Sequence, residues 1–226
     1  MSQYNSESVR TVLFDLDGTL VDTAPDLAAA LSKTLQEEGL QLPPYSLVRS
    51  EASYGGKALI TLGFGTDESD ARFEYRRQRF LKHYADNLCT DSQLFAGMKE
   101  VLDEIENSNR NWGVVTNKPS FLTDPLMAAL GLADRAACIV SGDTTARSKP
   151  DPMPMLHACT LAGSAGQQCV YVGDAQRDIE AGRRAGMHTL AARFGYLRPG
   201  DNPDDWGADK VIELPQDIIH WLREHD

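Results

Sequence analysis

The sequence lacks every cysteine spacing that marks a structural metal or a disulfide frame. Cys89, Cys138, Cys159 and Cys169 are scattered, with no C-x-x-C pair and no histidine at ligand spacing. Four reduced thiols in a cytoplasmic protein are therefore expected. No stretch approaches the apolar length of a membrane span, and the polar start MSQYNSESVR lacks the apolar segment of a signal peptide. Positive charge is scarce. With 22 Lys and Arg against 33 Asp and Glu, the formal charge of -11 repels nucleic acid and anionic membranes. Neither is expected as a partner, and an anionic small molecule must meet positive charge placed locally. Internal repeats and low-complexity tracts are also missing. His83, His157, His188, His220 and His225 share no spacing, so no zinc site is read from them.

What is present is a set of short apolar runs, each ending in polar residues. Thr11 to Phe14 precedes Asp15, Trp112 to Val115 precedes Thr116-Asn117, and Cys169 to Val172 precedes Gly173-Asp174. Runs that do not alternate predict strands buried on both faces. Ala137 to Val140 and Thr189 to Arg193 are weaker strands. Helical patterns at Gly97 to Ile105, Phe121 to Leu130 and Pro152 to Leu161 make the order repeated β-α units, hence an α/β fold around a parallel sheet. Residues 22–92 break the order: Asp26 to Glu38 and Arg72 to Asp86 are helical and no buried strand intervenes. The expected organisation is a core of residues 1–21 and 93–226 with a small helical insert over 22–92. Phe95-Ala96-Gly97 is the return hinge and residues 1–8 are a polar tail. The methionines Met98, Met127, Met153, Met155 and Met187 are assigned to the core.

Open α/β sheets bind ligands beyond the carboxyl ends of their strands, where these polar residues fall. In Asp15-Leu16-Asp17-Gly18-Thr19 two carboxylates stand close together after a buried strand. Asp15 can attack phosphorus while Asp17, kept protonated by the like charge beside it, donates to a leaving oxygen and later activates water. A divalent cation must offset the remaining charge, and Asp174, with Asp178 one helical turn on, extends the ligand set. All-oxygen ligation favours Mg²⁺. Thr116 and Asn117 can hold a phosphate oxygen or cap a helix, and Lys149, before the rigid Pro150, can neutralise a phosphoryl group or be a solvated lysine. Ser53-Tyr54-Gly55-Gly56-Lys57 is the candidate substrate-facing loop of the insert, a plain helix-helix turn being the alternative.

Asp15-x-Asp17-Gly18-Thr19, Thr116-Asn117, Lys149-Pro150 and Gly173-Asp174-x-x-x-Asp178 resemble, in order, motifs one to four of the haloacid dehalogenase superfamily. The resemblance implies a Rossmann-like core with a mobile helical cap, and a phosphatase acting through an aspartyl phosphate. Asp15 would be the nucleophile and Asp17 the acid/base. Asp15, Asp174 and the Asp17 backbone carbonyl would hold Mg²⁺ with support from Asp178, while Thr116 and Lys149 bind phosphate. Gly18, Thr19, Asn117 and the residues of the 53–57 loop complete the expected substrate contacts.

A finer resemblance runs through Trp112-Gly-Val-Val-Thr-Asn-Lys-Pro119, Phe194-Gly-Tyr196 and the stretch Asp201 to Asp209 containing Trp206. It is similar to phosphoglycolate phosphatases and to the N-acetylmuramic acid 6-phosphate phosphatases of cell-wall recycling. A small phosphomonoester is the implied substrate and a monomer or weak homo-oligomer the implied state. A sugar phosphomutase, a Schiff-base phosphonate-cleaving enzyme using Lys57, and a receiver-type signalling module remain the alternatives. A dehalogenase is disfavoured, because that branch lacks the second acidic residue present here as Asp17.

Overall fold

The computed structural model describes residues 8–225. The tail expected over residues 1–8 lies outside them apart from Ser8. In chain order the regular elements are β1 (Thr11–Phe14), β2 (Val21–Asp22), α1 (Ala24–Gln36), α2 (Tyr45–Glu51), α3 (Gly55–Phe64), α4 (Phe73–Asp86) and β3 (Gln93–Leu94). There follow α5 (Met98–Asn107), β4 (Asn111–Val115), α6 (Ser120–Ala129), β5 (Cys138–Val140), α7 (Met153–Ala162), β6 (Cys169–Gly173), α8 (Gln176–Arg184), β7 (His188–Ala192), β8 (Lys210–Ile212) and α9 (Asp217–Glu224).

Six of the strands form a parallel sheet in the order β5-β4-β1-β6-β7-β8. Both faces of this sheet are covered, which is why its strands read as continuous apolar runs. Val12 and Phe14 of β1, with Val170 and Val172 of β6, pack against α5, α6 and α9. Their neighbours Leu13 and Tyr171 turn to the opposite layer, against α7 and α8. In α5, Met98, Val101, Leu102 and Ile105 are buried at helical spacing, the stripe that one sheet face requires. Because β1 lies between β4 and β6, the chain order reverses there, and such switch points open a crevice at the strand ends.

The chain leaves this core through β2 and returns through β3, the two pairing antiparallel with Val21 opposite Leu94. Helices α1 to α4 between them have their own apolar cluster, built from Leu31 and Leu35 of α1, Leu59 and Ile60 of α3, and Phe80 and Tyr84 of α4. Asp26, buried at the start of α1, accepts hydrogen bonds from Asp91 N at 2.9 Å and Ser92 Oγ at 2.6 Å, tying the outgoing and returning segments together.

The five expected strands and the α1, α4, α5, α6 and α7 helices are present within a few residues. Helices α2 and α3 were not foreseen. Residues 53–57 are a tight 3-10 turn, Ala52–Tyr54, leading into the first turn of α3, rather than an extended loop. Met153 is exposed, unlike the other methionines assigned to the core, because it opens α7 on the solvent side. Trp206 is half-buried. All four cysteines are free thiols, and no described helix is long and apolar enough to cross a membrane.

Candidate active site

Asp15 directly follows β1, and its backbone N–H continues the ladder to Val172 O at 2.9 Å. The strand therefore fixes the carboxylate at the crevice, where it is 4% exposed. Its Oδ1 accepts from Leu16 N at 2.7 Å and lies 2.9 Å from Lys149 Nζ. Lys149 is fully enclosed. Its ammonium also sits 2.8 Å from Asp178 Oδ1 and donates to the Tyr171 hydroxyl at 2.8 Å. Asn117 fixes its backbone from both sides: Nδ2 donates to Lys149 O and Oδ1 accepts from Lys149 N, each at 3.0 Å. A buried ammonium is tolerated only with this kind of pairing.

Asp174 follows β6 and Asp178 falls in the first turn of α8, where Asp178 Oδ2 accepts from Ala175 N at 3.0 Å, an N-terminal cap. Carboxylate oxygens of Asp15, Asp174 and Asp178 all lie within 4.8 Å of one another. Burial, with the charges of Asp15 and Asp178 beside it, pushes Asp174 up to about 7, and burial also raises Asp178. Lys149 is the ion-pair partner that Asp15 and Asp178 share, and the oxygens of the three buried carboxylates form an all-oxygen donor set that fits a hard divalent cation. A second observation agrees. Ser53 Oγ donates to Asp174 Oδ2 at 2.6 Å and sits 3.2 Å from the carbonyl of Asp17, so these two oxygens converge on one small position.

Close backbone packing holds Asp174 there. Gly18 has φ +86°, and a Cβ on it would stand 2.2 Å from Asp174 Oδ2. A Cβ on Gly195 would stand 2.2 Å from Asp174 Cβ. Tyr196 N donates to Asp174 Oδ2 at 2.8 Å. Thr19 Oγ1 lies 3.3 Å from Asp174 Oδ1 and is fully buried. Gly18 and Thr19, expected to touch substrate, do not line the cleft. They pack beneath Asp174, because the turn after β1 folds back toward β6.

The Asp17 side chain turns away from the acidic cluster. Its Oδ1 accepts from Thr23 Oγ1 at 2.6 Å and from Lys118 Nζ at 2.9 Å. Lys118 was not foreseen. It is buried by Tyr84 of α4, whose hydroxyl accepts from Nζ at 2.9 Å. Burial disfavours the charged lysine, but Asp17 and Tyr84 outweigh it and the ammonium is held above its ordinary range. The immediate neighbour of Asp17 is thus a cation, not the like charge read from the sequence. Asp17 Oδ2 makes no hydrogen bond among the described residues and faces a cavity of about 380 Å³, large enough for a small organic ligand.

Thr116 and Asn117 line that cavity from the end of β4, and Ser53, Tyr54, Gly55, Gly56 and Lys57 line it from the helical side. Lys57 is engaged by Glu68 at 2.6 Å and is exposed. Tyr54 is gripped by the core: Arg198 lies 3.2 Å from its ring centroid and Arg177 lies 5.0 Å away. Arg177, inside the Gly173-to-Asp178 motif, was assigned no role from the sequence.

A profile of the haloacid dehalogenase-like hydrolases matches residues 12–192. The N-acetylmuramic acid 6-phosphate phosphatase of Pseudomonas putida is 44% identical, over 93% of this chain and 94% of its own. The phosphoglycolate phosphatase of Xanthomonas campestris is 43% identical, over 92% and 94% respectively. A solved structure described as a predicted phosphoglycolate phosphatase from Haemophilus somnus superposes with a TM-score of 0.84 at 27% identity, covering 94% of this chain and 97% of that one. With its four motifs gathered at the end of one parallel sheet, the chain belongs to the haloacid dehalogenase-like hydrolase family and stands among its phosphatases.

Proposed function

We propose that this protein is a Mg²⁺-dependent phosphatase that hydrolyses a small phosphomonoester through a phosphoryl group carried on Asp15. The observation that carries this reading is Lys149, enclosed between Asp15 and Asp178 at 2.9 and 2.8 Å beside a third buried carboxylate. Asp15 Oδ2, which makes no hydrogen bond among the described residues, attacks phosphorus as the ester P–O bond breaks. The departing oxygen takes a proton from Asp17 Oδ2. Asp17 then removes a proton from water, whose oxygen attacks phosphorus and frees phosphate and the Asp15 carboxylate. Lys149 and Thr116 neutralise and hold the phosphoryl oxygens, and Asn117 keeps Lys149 in place. Asp15, Asp174 and the Asp17 carbonyl, backed by Asp178, would hold Mg²⁺, which supplies charge neutralisation at the phosphoryl group.

Residues 22–92 serve in this reading as a cap that excludes water and contacts the leaving group. Its fit favours a sugar-sized leaving group. The cleft, about 380 Å³, falls in the size range of small-molecule sites. Leu27, Phe80, Leu81 and Leu122 add apolar walls suited to a sugar ring and an acyl group. N-acetylmuramic acid 6-phosphate is the preferred candidate and 2-phosphoglycolate the second. Both carry a carboxylate. A phosphate-release screen over these esters and other sugar phosphates tests the reading through kcat/KM. The expected result is hydrolysis of at least one ester that stops in excess EDTA and returns with Mg²⁺. Unchanged rates in EDTA contradict the metal assignment.

Asp174 makes a further prediction. Its carboxyl ionises near 3.8 in the unfolded chain and near 7 in the metal-free fold. Between those values the folded state binds the extra proton, so this group's contribution to stability falls as pH rises and is lost above about 7. Mg²⁺, bound by the ionised form, should therefore raise Tm more at pH 8 than at pH 6. Thermal melts with and without Mg²⁺ check this, and an equal or larger rise at pH 6 contradicts it.

A further inference from the structure

Four cationic side chains line the cleft: Lys57, Arg77, Lys118 and Arg177. Three of them face a carboxylate. Lys57 meets Glu68 at 2.6 Å, Arg77 meets Glu74 at 2.8 Å, and Lys118 meets Asp17 at 2.9 Å. Among the described residues, Arg177 has no carboxylate within ion-pair distance. It is half-buried at the start of α8, and its Nη2 donates to the carbonyl of Ser53 at 2.6 Å. That bond, with the Tyr54 ring beside it, sets the plane of the guanidinium and leaves most of its five N–H donors uncommitted. Asp178, Asp15 and Asp174 favour its charge from beyond ion-pair distance, so its planar fork is left to match a carboxylate bidentately.

We propose that Arg177 is the specificity-determining residue that binds a carboxylate on the leaving group, so that the preferred substrate is a phosphate monoester that is also a carboxylic acid. This rests on the phosphatase reading above and adds the chemical class that the cleft selects. The transferred phosphoryl group already has Lys149, Thr116 and the cation site, so the uncommitted guanidinium is left for a second anionic group. The side chain stands where core meets helical insert, touching Ser53 and Tyr54. A carboxylate bound there would draw both sides of the cleft onto one ligand.

The test uses matched esters that differ by the carboxylate. N-acetylmuramic acid 6-phosphate is compared with N-acetylglucosamine 6-phosphate, which lacks the lactyl arm, and 2-phosphoglycolate with 2-hydroxyethyl phosphate. Wild-type enzyme is expected to favour the carboxylated member of at least one pair. Arg177→Met should narrow that preference by about 10- to 100-fold, the range for a hydrogen-bonded charged pair, with the loss in kcat/KM for the carboxylated ester. Arg177→Lys, which keeps the charge without the fork, should fall between. A variant that lowers both members equally would show that Arg177 only braces Ser53, and this overturns the inference while the phosphatase reading stands. Equal kcat/KM for both members of both pairs in the wild type also overturns it, with no dependence on how any variant folds. Absence of phosphate release from every ester, p-nitrophenyl phosphate included, overturns the phosphatase reading and the inference with it.

Discussion

Asp15→Asn is expected to lower phosphate release by about four orders of magnitude or more while the fold persists, since loss of a nucleophile removes the covalent route altogether. The substitution is nearly isosteric. The amide oxygen can still accept from Leu16 N, now 2.7 Å from Oδ1, and Lys149 keeps its ion pair with Asp178 at 2.8 Å. Removing one of three clustered carboxylates also relieves repulsion in the metal-free protein, so Tm without Mg²⁺ should be unchanged or higher. Phosphate release and thermal melting measured on one preparation separate the two effects. Turnover near that of the wild type would remove Asp15 from the nucleophile role, and a large fall in Tm would show that the loss of activity is structural.

Asp17→Asn should slow hydrolysis by about 10²- to 10⁴-fold, the usual size of a general acid/base contribution. The loss should depend on the leaving group. An alkyl oxygen departs only with a proton, whereas p-nitrophenolate departs without one, so release of the phenolate in the first step should suffer much less than release of a sugar. Lys118 sharpens the expectation. Its ammonium, 2.9 Å from Asp17 Oδ1, would keep the Tyr84 hydroxyl and an amide oxygen as acceptors but lose its charged partner. Some loss of stability therefore accompanies the loss of rate. A burst of p-nitrophenolate followed by slow turnover supports the double role of Asp17. Equal slowing of both leaving groups in the first step counts against its action as an acid.

Much of the sheet and the floor of the site could be read from the sequence, because both depend on local signals. A strand buried on two faces must be a short apolar run, and the first polar residue after it must lie at the strand end. Asp15, Thr116 and Asp174 stand at strand ends for this reason, and the pattern marks Lys149 by the Pro150 that follows it. Contacts made across the fold were not legible. Lys118 looks like a solvated loop lysine until Tyr84, 34 residues earlier, closes over it. A signal was nevertheless present, since Lys118-Pro119 repeats the Lys-Pro pattern of Lys149-Pro150. Gly18 and Thr19 pack against Asp174 rather than lining the cavity, because sequence order does not reveal which side of a turn meets Asp174. Helices α2 and α3 escaped notice because their buried residues are few: Val48 and Ser50 in one, Leu59 and Ile60 in the other.

The most direct measurement is to capture the reaction midway. Wild-type protein turning over a hydrolysable ester with Mg²⁺ is quenched in acid within milliseconds, reduced with borohydride, digested and sequenced by mass spectrometry. Borohydride converts an aspartyl phosphate to homoserine, so the peptide Thr11-Val12-Leu13-Phe14-Asp15-Leu16-Asp17 is expected to carry homoserine at position 15 and unaltered aspartate at position 17. Covalent capture at another side chain, or none during demonstrated turnover with the quench faster than the release step, would contradict the account.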